Sequence, residues 1–238
     1  MINLSAFGPL WGVPDPSPFV IKTEVQLKMA GLPYRTFRAR PPEAPKGKLP
    51  FIDDDGVQVG DSTFIRDYIQ WKHGLDLDAG LSPRQRALAW TVERVVEDHL
   101  YWAIVYFRWA APENFDKGAG AAFFAGAPDE VREGGRKHMG AVLHGQGFGR
   151  HSAEEVGDLA ARSVTALAEI VGDGPYLSGE LICGADATLF AGLTAALSPH
   201  FDTPVRDAIL GHANLVAYHD RMRARFYPAG AEAQSVAA

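Results

Sequence analysis

Three short stretches in the first third of the chain carry polar groups at spacings that could bind and activate a ligand. Ser17 precedes Pro18 at the predicted start of a helix, where the first backbone N–H groups are unpaired and the dipole end is positive. A thiolate would be favoured there. A thiol of pKa ~8.5 is only a few per cent ionised at neutral pH, and lowering that value by about two units, at ~2.7 kcal/mol, raises the reactive fraction roughly 25-fold. The same serine also reads as a plain N-cap, worth about 1 kcal/mol. Lys48-Leu49-Pro50 ends a loop before a predicted strand. A cis bond at Pro50 would turn the Leu49 backbone outward, to pair with an extended peptide as an added strand does; a strand-opening proline is the other reading. Asp61-Ser62 heads the next helix with a carboxylate, a hydroxyl and free N–H groups, a set that suits an α-carboxylate with an α-ammonium, as at a γ-glutamyl end. Helix capping by the same pair is the competing explanation.

The elements that would position these groups follow from periodicity. Ile2 to Phe7 reads as a strand and Gly8 to Pro16 as a Gly/Pro-rich loop. A helix from Pro18 to Ala30 then stops at Gly31. Tyr34 to Arg40 alternates as a strand, and Phe51-Ile52 and Val57–Val59 flank an Asp55-Gly56 hairpin signal. A helix carrying Phe64, Ile65, Tyr68, Ile69 and Trp71 runs to Gly74. Beyond Leu75 to Leu81 the strand signals give way to helical ones. Ser82-Pro83 opens a long helix through about Trp109, and Gly118 to Gly126 is a break. Further helices are expected at Asp129 to Leu143, Ala153 to Val171, Ala185 to Leu197 and Pro204 to Arg225, with a small frayed tail after Pro228.

Composition narrows the function classes. A chain of 238 residues with 47% apolar and 22% charged residues is globular, and its net charge of −6 without a Lys/Arg stripe excludes a nucleic-acid backbone partner. Cys183 is the sole cysteine, so neither a disulfide, a Cys-x-x-Cys redox pair nor a cysteine-based zinc site can form. The N-terminus lacks a basic n-region and a long apolar core, and Ala187 to Leu197 is too short to span a bilayer. A cytoplasmic location is the expectation.

Ser17-Pro18-Phe19-Val20-Ile21-Lys22, then Gly47-Lys48-Leu49-Pro50, then Gly60-Asp61-Ser62 with Ile65 resemble the N-terminal domain of glutathione S-transferases. Gly184-Ala185-Asp186-Ala187-Thr188-Leu189-Phe190 resembles their buried helix with its capping Asp. Ser17-Pro18-Phe19, Lys22, Met29 to Tyr34 and Leu215 to Arg223 look most like the failed-axon-connections and metaxin branch. The resemblance implies an α+β, thioredoxin-like domain of order β-α-β-(α)-β-β-α over residues 1–75, followed by an all-α domain over 82–230. It also implies glutathione as co-substrate; no metal is expected, and a two-fold homodimer is expected as the commonest assembly of soluble chains. Ser17 would take the place of the thiol-activating residue, Leu49 and Pro50 would meet the cysteinyl backbone, and Asp61 and Ser62 would hold the γ-glutamyl group. Lys48 would approach the glycyl carboxylate, with help from the charge of Lys22. Serine rather than cysteine at position 17 favours transfer over a mixed-disulfide mechanism.

Trp11, Phe19, Tyr101 and Tyr106 are candidates for a hydrophobic substrate pocket, although the aromatic run Tyr101, Trp102, Tyr106, Phe107 and Trp109 suits core or dimer packing as well. The stretch Arg40 to Lys48 is short and Pro-rich for the second helix that usually lends glutathione contacts. Cys183 stands where a Ser or Thr cap is expected before Asp186, which weakens the capping box slightly. His138, His144 and His151 lack metal-site spacing, and Gly145 to Gly149 follows a helix, so it is a loop and not a dinucleotide fingerprint. Two rivals share the fold: a non-catalytic scaffold with a protein-binding cleft, and a glutathione-dependent isomerase or dehalogenase.

Overall fold

The computed structural model describes residues 1–228, so the tail expected after Pro228 lies outside the described residues. Strands β1 (Ile2–Ala6), β2 (Tyr34–Arg38), β3 (Phe51–Asp54) and β4 (Val57–Gly60) form one sheet in the order β2-β1-β3-β4. Strand β1 runs parallel to β2, with Ile2 opposite Tyr34, and antiparallel to β3, with Leu4 opposite Ile52. Helix α1 (Pro18–Met29) makes the crossover that the parallel pair requires. Strands β3 and β4 are closed by Asp55-Gly56, both at positive φ (55° and 89°), the conformation a tight hairpin demands. Helix α2 (Ser62–His73) follows, and Ile65 and Ile69 pack with Leu4, Leu27 and Ile52 over one face of the sheet. The region before β3 contains only a 3-10 turn at Pro41–Glu43, since two consecutive prolines remove the donors a longer helix needs.

The second half is helical. Helix α3 (Pro83–Arg94), capped by the Ser82 hydroxyl, continues through a π-helical turn at Val95–Leu100 into α4 (Tyr101–Trp109). Short helices α5 (Pro112–Phe115) and α6 (Ala121–Phe123) bracket a π turn at Asp116–Gly120. The glycine-rich stretch expected to break at Gly118 is therefore helical up to Phe123. Phe201 lies against Gly118, where a Cβ would come within 2.6 Å of its ring, so the small residue serves close packing and not a turn. Helices α7 (Asp129–Gln146), α8 (Ala153–Val171) and α9 (Gly184–Ala196) follow. The single helix expected from Pro204 to Arg225 is two, α10 (Pro204–Leu210) and α11 (Ala213–Phe226), because the chain turns at Gly211-His212. Every residue of α9 is buried. Its Asp186 accepts hydrogen bonds from the Leu177 and Cys183 N–H groups (3.0 and 2.8 Å) and the Tyr218 hydroxyl (2.9 Å), which fixes the helix start. Gly192 lets α9 approach the π turn, since a Cβ there would lie 2.5 Å from a Val96 methyl.

A buried ionic cluster joins the halves. Lys22 of α1, 1% exposed, donates to Glu93 (3.0 Å) and Glu97 (2.6 Å). Arg66 of α2 binds Glu93 (2.8 Å) and Asp78 (2.5 Å), and Arg94 binds the other oxygen of Glu97 (2.6 Å). Asp78 also accepts the Gly184 N–H at 3.0 Å. Each buried charge is paired, which is the condition for such a cluster to be tolerated; removing one member leaves uncompensated charge. Lys22→Met is expected to destabilise the protein by about 3 kcal/mol, read as a fall in the urea midpoint. A loss below about 1 kcal/mol would show that Arg66 and Arg94 suffice for the two glutamates.

Candidate functional site

A cleft of about 700 Å³ lies between the sheet half and the helical half. Its polar wall comes from the first 64 residues. Ser17 occupies the N-cap position of α1 (φ −94°, ψ 118°), yet its hydroxyl makes no capping bond, contrary to the expectation of an ordinary N-cap. Asp15 takes over the role of ordering this end. One of its oxygens accepts from the Phe7 and Gly8 N–H groups (2.9 and 3.0 Å), and the other from the Ser17 N–H (2.8 Å). The loop between β1 and α1 is thus tied to a single carboxylate, and the Ser17 hydroxyl, half-buried on the cleft wall, has no partner among the described residues. Burial pushes the Asp15 carboxyl up to about 7, against the pull of those three N–H donors.

Across this wall, Leu49, Pro50, Asp61 and Ser62 line the same cleft, and the Leu49–Pro50 peptide is cis. Asp61 caps α2 by accepting the Thr63 N–H at 3.1 Å, adopts φ 84°, and donates its own N–H to the Pro50 carbonyl at 3.1 Å. Lys48 lies 3.0 Å from its other oxygen. Desolvation works to raise the Asp61 carboxyl, but the Lys48 and Thr63 hydrogen bonds outweigh it and hold the group below its ordinary value.

The facing wall is aromatic and helical. Tyr101 meets Phe19 edge-on at 4.8 Å, and Trp90, Trp102, Trp109, Phe123 and Met139 extend the apolar surface. Burial raises the Tyr101 phenol, so it stays protonated. Trp11, in a left-handed turn (φ 56°), packs against Phe201 (5.0 Å) and Phe123 (5.7 Å), and its carbonyl accepts from Ser198 (2.7 Å). Behind Trp11, Arg108 donates to the Pro16 and Ala195 carbonyls (2.9 and 2.7 Å).

The structure therefore brings Ser17, Lys48, Leu49, Pro50, Asp61, Ser62, Trp11, Phe19 and Tyr101 to one cleft. Tyr106 does not line it: the ring lies on another face of α4, edge-on to Phe107 and against the helical core. Lys22 does not reach it either, because its charge is spent on Glu93 and Glu97. Asp15 and Arg108 escaped the sequence reading. Asp15 had a local signal, an Asx residue set between Pro14 and Pro16, which favours side-chain bonding to nearby N–H groups. Arg108 had a weaker one, a lone charge inside an apolar aromatic run. Cys183 is buried with its thiol pushed up to about 12, so it is no nucleophile.

Among the described residues no group of three His, Cys, Asp or Glu is placed to hold a metal ion, and no helix is long and apolar enough to cross a membrane. Between pH 4 and 7 the raised Asp15 makes the folded chain bind more protons than the unfolded one, so this residue causes stability to fall as pH rises. Asp15→Asn, neutral throughout, is expected to flatten that part of a urea-midpoint profile against pH.

Residues 18–114 match the glutathione S-transferase N-terminal domain, and residues 160–222 match the glutathione S-transferase C-terminal domain. The isoprene-epoxide glutathione S-transferase of Rhodococcus sp. (strain AD45) is 33% identical, covering 95% of this chain and 99% of the relative. Failed axon connections of Drosophila melanogaster is 30% identical, covering 91% of this chain and 56% of the relative. Among solved structures, the β-etherase LigF from Sphingobium sp. strain SYK-6 superposes with a TM-score of 0.70 at 21% identity, over 94% of this chain and 95% of that one. A glutathione S-transferase from Methylobacterium radiotolerans, in complex with glutathione sulfonate, gives 0.60 at 19% identity over 100% and 96%. With the sheet order, the helical second half and the near full-length likeness to the Rhodococcus enzyme taken together, the chain belongs to the glutathione S-transferase family.

Proposed function

We propose that this protein is a glutathione transferase that ionises the glutathione thiol at the start of α1 and directs it at a small hydrophobic epoxide in the cleft. The observation that carries the reading is the unpartnered Ser17 hydroxyl at a helix N-terminus, on the wall of a cleft whose other side is aromatic. A hydroxyl donor and the first free N–H groups of α1 stabilise a thiolate by hydrogen bonding and dipole. Asp61 and Ser62 hold the γ-glutamyl end, and the Leu49 backbone meets the cysteinyl unit. Lys48, now paired with Asp61, is released toward the glycyl carboxylate when the γ-glutamyl ammonium takes over that aspartate. The thiolate attacks an epoxide carbon, the C–O bond breaks, and the ring oxygen leaves as an alkoxide that takes a proton. The protonated phenol of Tyr101 is the donor on the aromatic wall. The choice of an epoxide follows the likeness to the Rhodococcus enzyme. A homodimer in a reducing cytoplasm belongs to the same proposal.

The rival reading, a binding module without catalysis, has in its favour the Lys48–Asp61 ion pair that occupies the polar wall and the 3-10 turn that stands where a helix usually contributes glutathione contacts. Calorimetric titration decides between them: saturable binding of glutathione below about 1 mM supports the transferase, and no heat at several millimolar supports the module. In turnover with glutathione and a small alkyl epoxide, Ser17→Ala is expected to lower kcat/KM by about ten- to a hundredfold with an unchanged circular-dichroism melt. Equal activity in that variant would remove Ser17 from the mechanism.

A further inference from the structure

We propose that Arg108 supplies the positive charge that complements the ionised sulfur at the start of α1, as a positioning and electrostatic residue that acts without touching substrate. The inference rests on the reading that this site ionises a thiol. Arg108 is 7% exposed and borders the cleft, yet no carboxylate lies within ion-pair distance of it among the described residues. Its donors go to two carbonyls, Pro16 and Ala195, and its guanidinium lies 5.2 Å from the ring centres of both Trp11 and Phe201. A buried cation without an acid is costly, and carbonyls and ring faces offset that cost only in part. The same wall shows the usual solution elsewhere, since Arg94 is matched by Glu97 and Asp98 and Lys48 by Asp61. Arg108 is left over, and it is held one residue from Ser17 through the Pro16 carbonyl.

The corner needs a cation. Glu97, Asp98 and Asp61 on the cleft walls are already matched by Lys22, Arg94 and Lys48, which leaves Asp15, bonded to the Ser17 N–H, as the acid beside the sulfur position that works against a thiolate. Tyr101 is protonated and contributes no charge. Burial draws the Arg108 guanidinium down to about 10, which leaves it charged at neutral pH. A nearby unit charge in a partly screened site shifts a pKa by about one unit, tenfold in thiolate fraction.

The test follows bound thiolate by its ultraviolet absorbance against pH in the full-length protein, in Arg108→Gln and in Arg108→Lys. Arg108→Gln is expected to raise the pKa of bound glutathione by about one unit and to lower kcat/KM about tenfold at pH 6.5, with recovery at higher pH. Arg108→Lys, which keeps the charge but loses the fork, is expected to stay within about 0.3 unit of the unaltered protein. S-methylglutathione, which has no thiol to ionise, should bind all three alike. The proposal is overturned if Arg108→Gln leaves the thiol pKa unmoved, including the case where only carboxylate-bearing electrophiles suffer. It is also overturned if Gln and Lys shift the pKa equally while S-methylglutathione weakens, the signature of a packing role. Should neither variant fold, Ser17→Ala serves, because Arg108 stays in place: part of the pKa depression should persist, and a return to the free-thiol value overturns the idea. An unaltered protein that shows no thiolate signal at saturating glutathione removes the transferase reading itself. A depressed pKa indifferent to position 108 removes only this inference.

Discussion

The charge cluster around Lys22 is the interaction on which the rest of the architecture depends. Its cations come from α1, α2 and α3, and its acids from α3, the π turn and the connection before α3. Hydrophobic contact between helices is tolerant of sliding, because it is non-directional and scales with area. Buried ion pairs are directional, and a displacement of a few tenths of an ångström leaves charge unsatisfied in a low-dielectric interior. The cluster therefore sets how α1 meets the helical half, and with it the position of the helix end that carries Ser17.

The cleft divides its chemistry between two sources. The polar groups come from the sheet half, at the ends of secondary-structure elements where backbone donors are free. The apolar, aromatic groups come largely from α3, α4 and α7, as side chains on helix faces. The two sets are under different physical constraints. A backbone donor at a helix start is fixed by fold, whereas Trp90, Trp102 or Met139 can change size without disturbing the wall that carries Ser17.

Much of the sheet half was legible because its signals are local. Pro18 after Ser17, Asp55-Gly56 and Gly74 each act within a few residues of themselves, and the elements begin and end where they stand. The residues that meet on the cleft's polar wall stand out in the sequence for the same reason. What escaped depended on distant partners. Lys22 looked like a charge near the site, but its carboxylates lie 71 and 75 residues away in sequence. Tyr106 and Tyr101 belong to one aromatic run, and only the helical rotation decides that one faces the cleft and the other the core. The break between α10 and α11 did leave a mark, since the step of six residues from Ile209 to Leu215 interrupts the three- and four-residue spacing of Val205–Ile209 and of Leu215–Tyr218–Met222.

The loop that leads into Ser17 belongs to the first half by chain order and to the second half by attachment, through Trp11 on Phe201, Ser198 on the Trp11 carbonyl and Arg108 on the Pro16 carbonyl. Gly12 completes the fit, since any Cβ there would strike Pro199. The two halves are therefore not interchangeable modules. A chimera that grafts the helical half of a relative onto this sheet would lose the abutments that shape the loop before Ser17. The aromatic wall, by contrast, can be altered by single substitutions that leave those abutments in place.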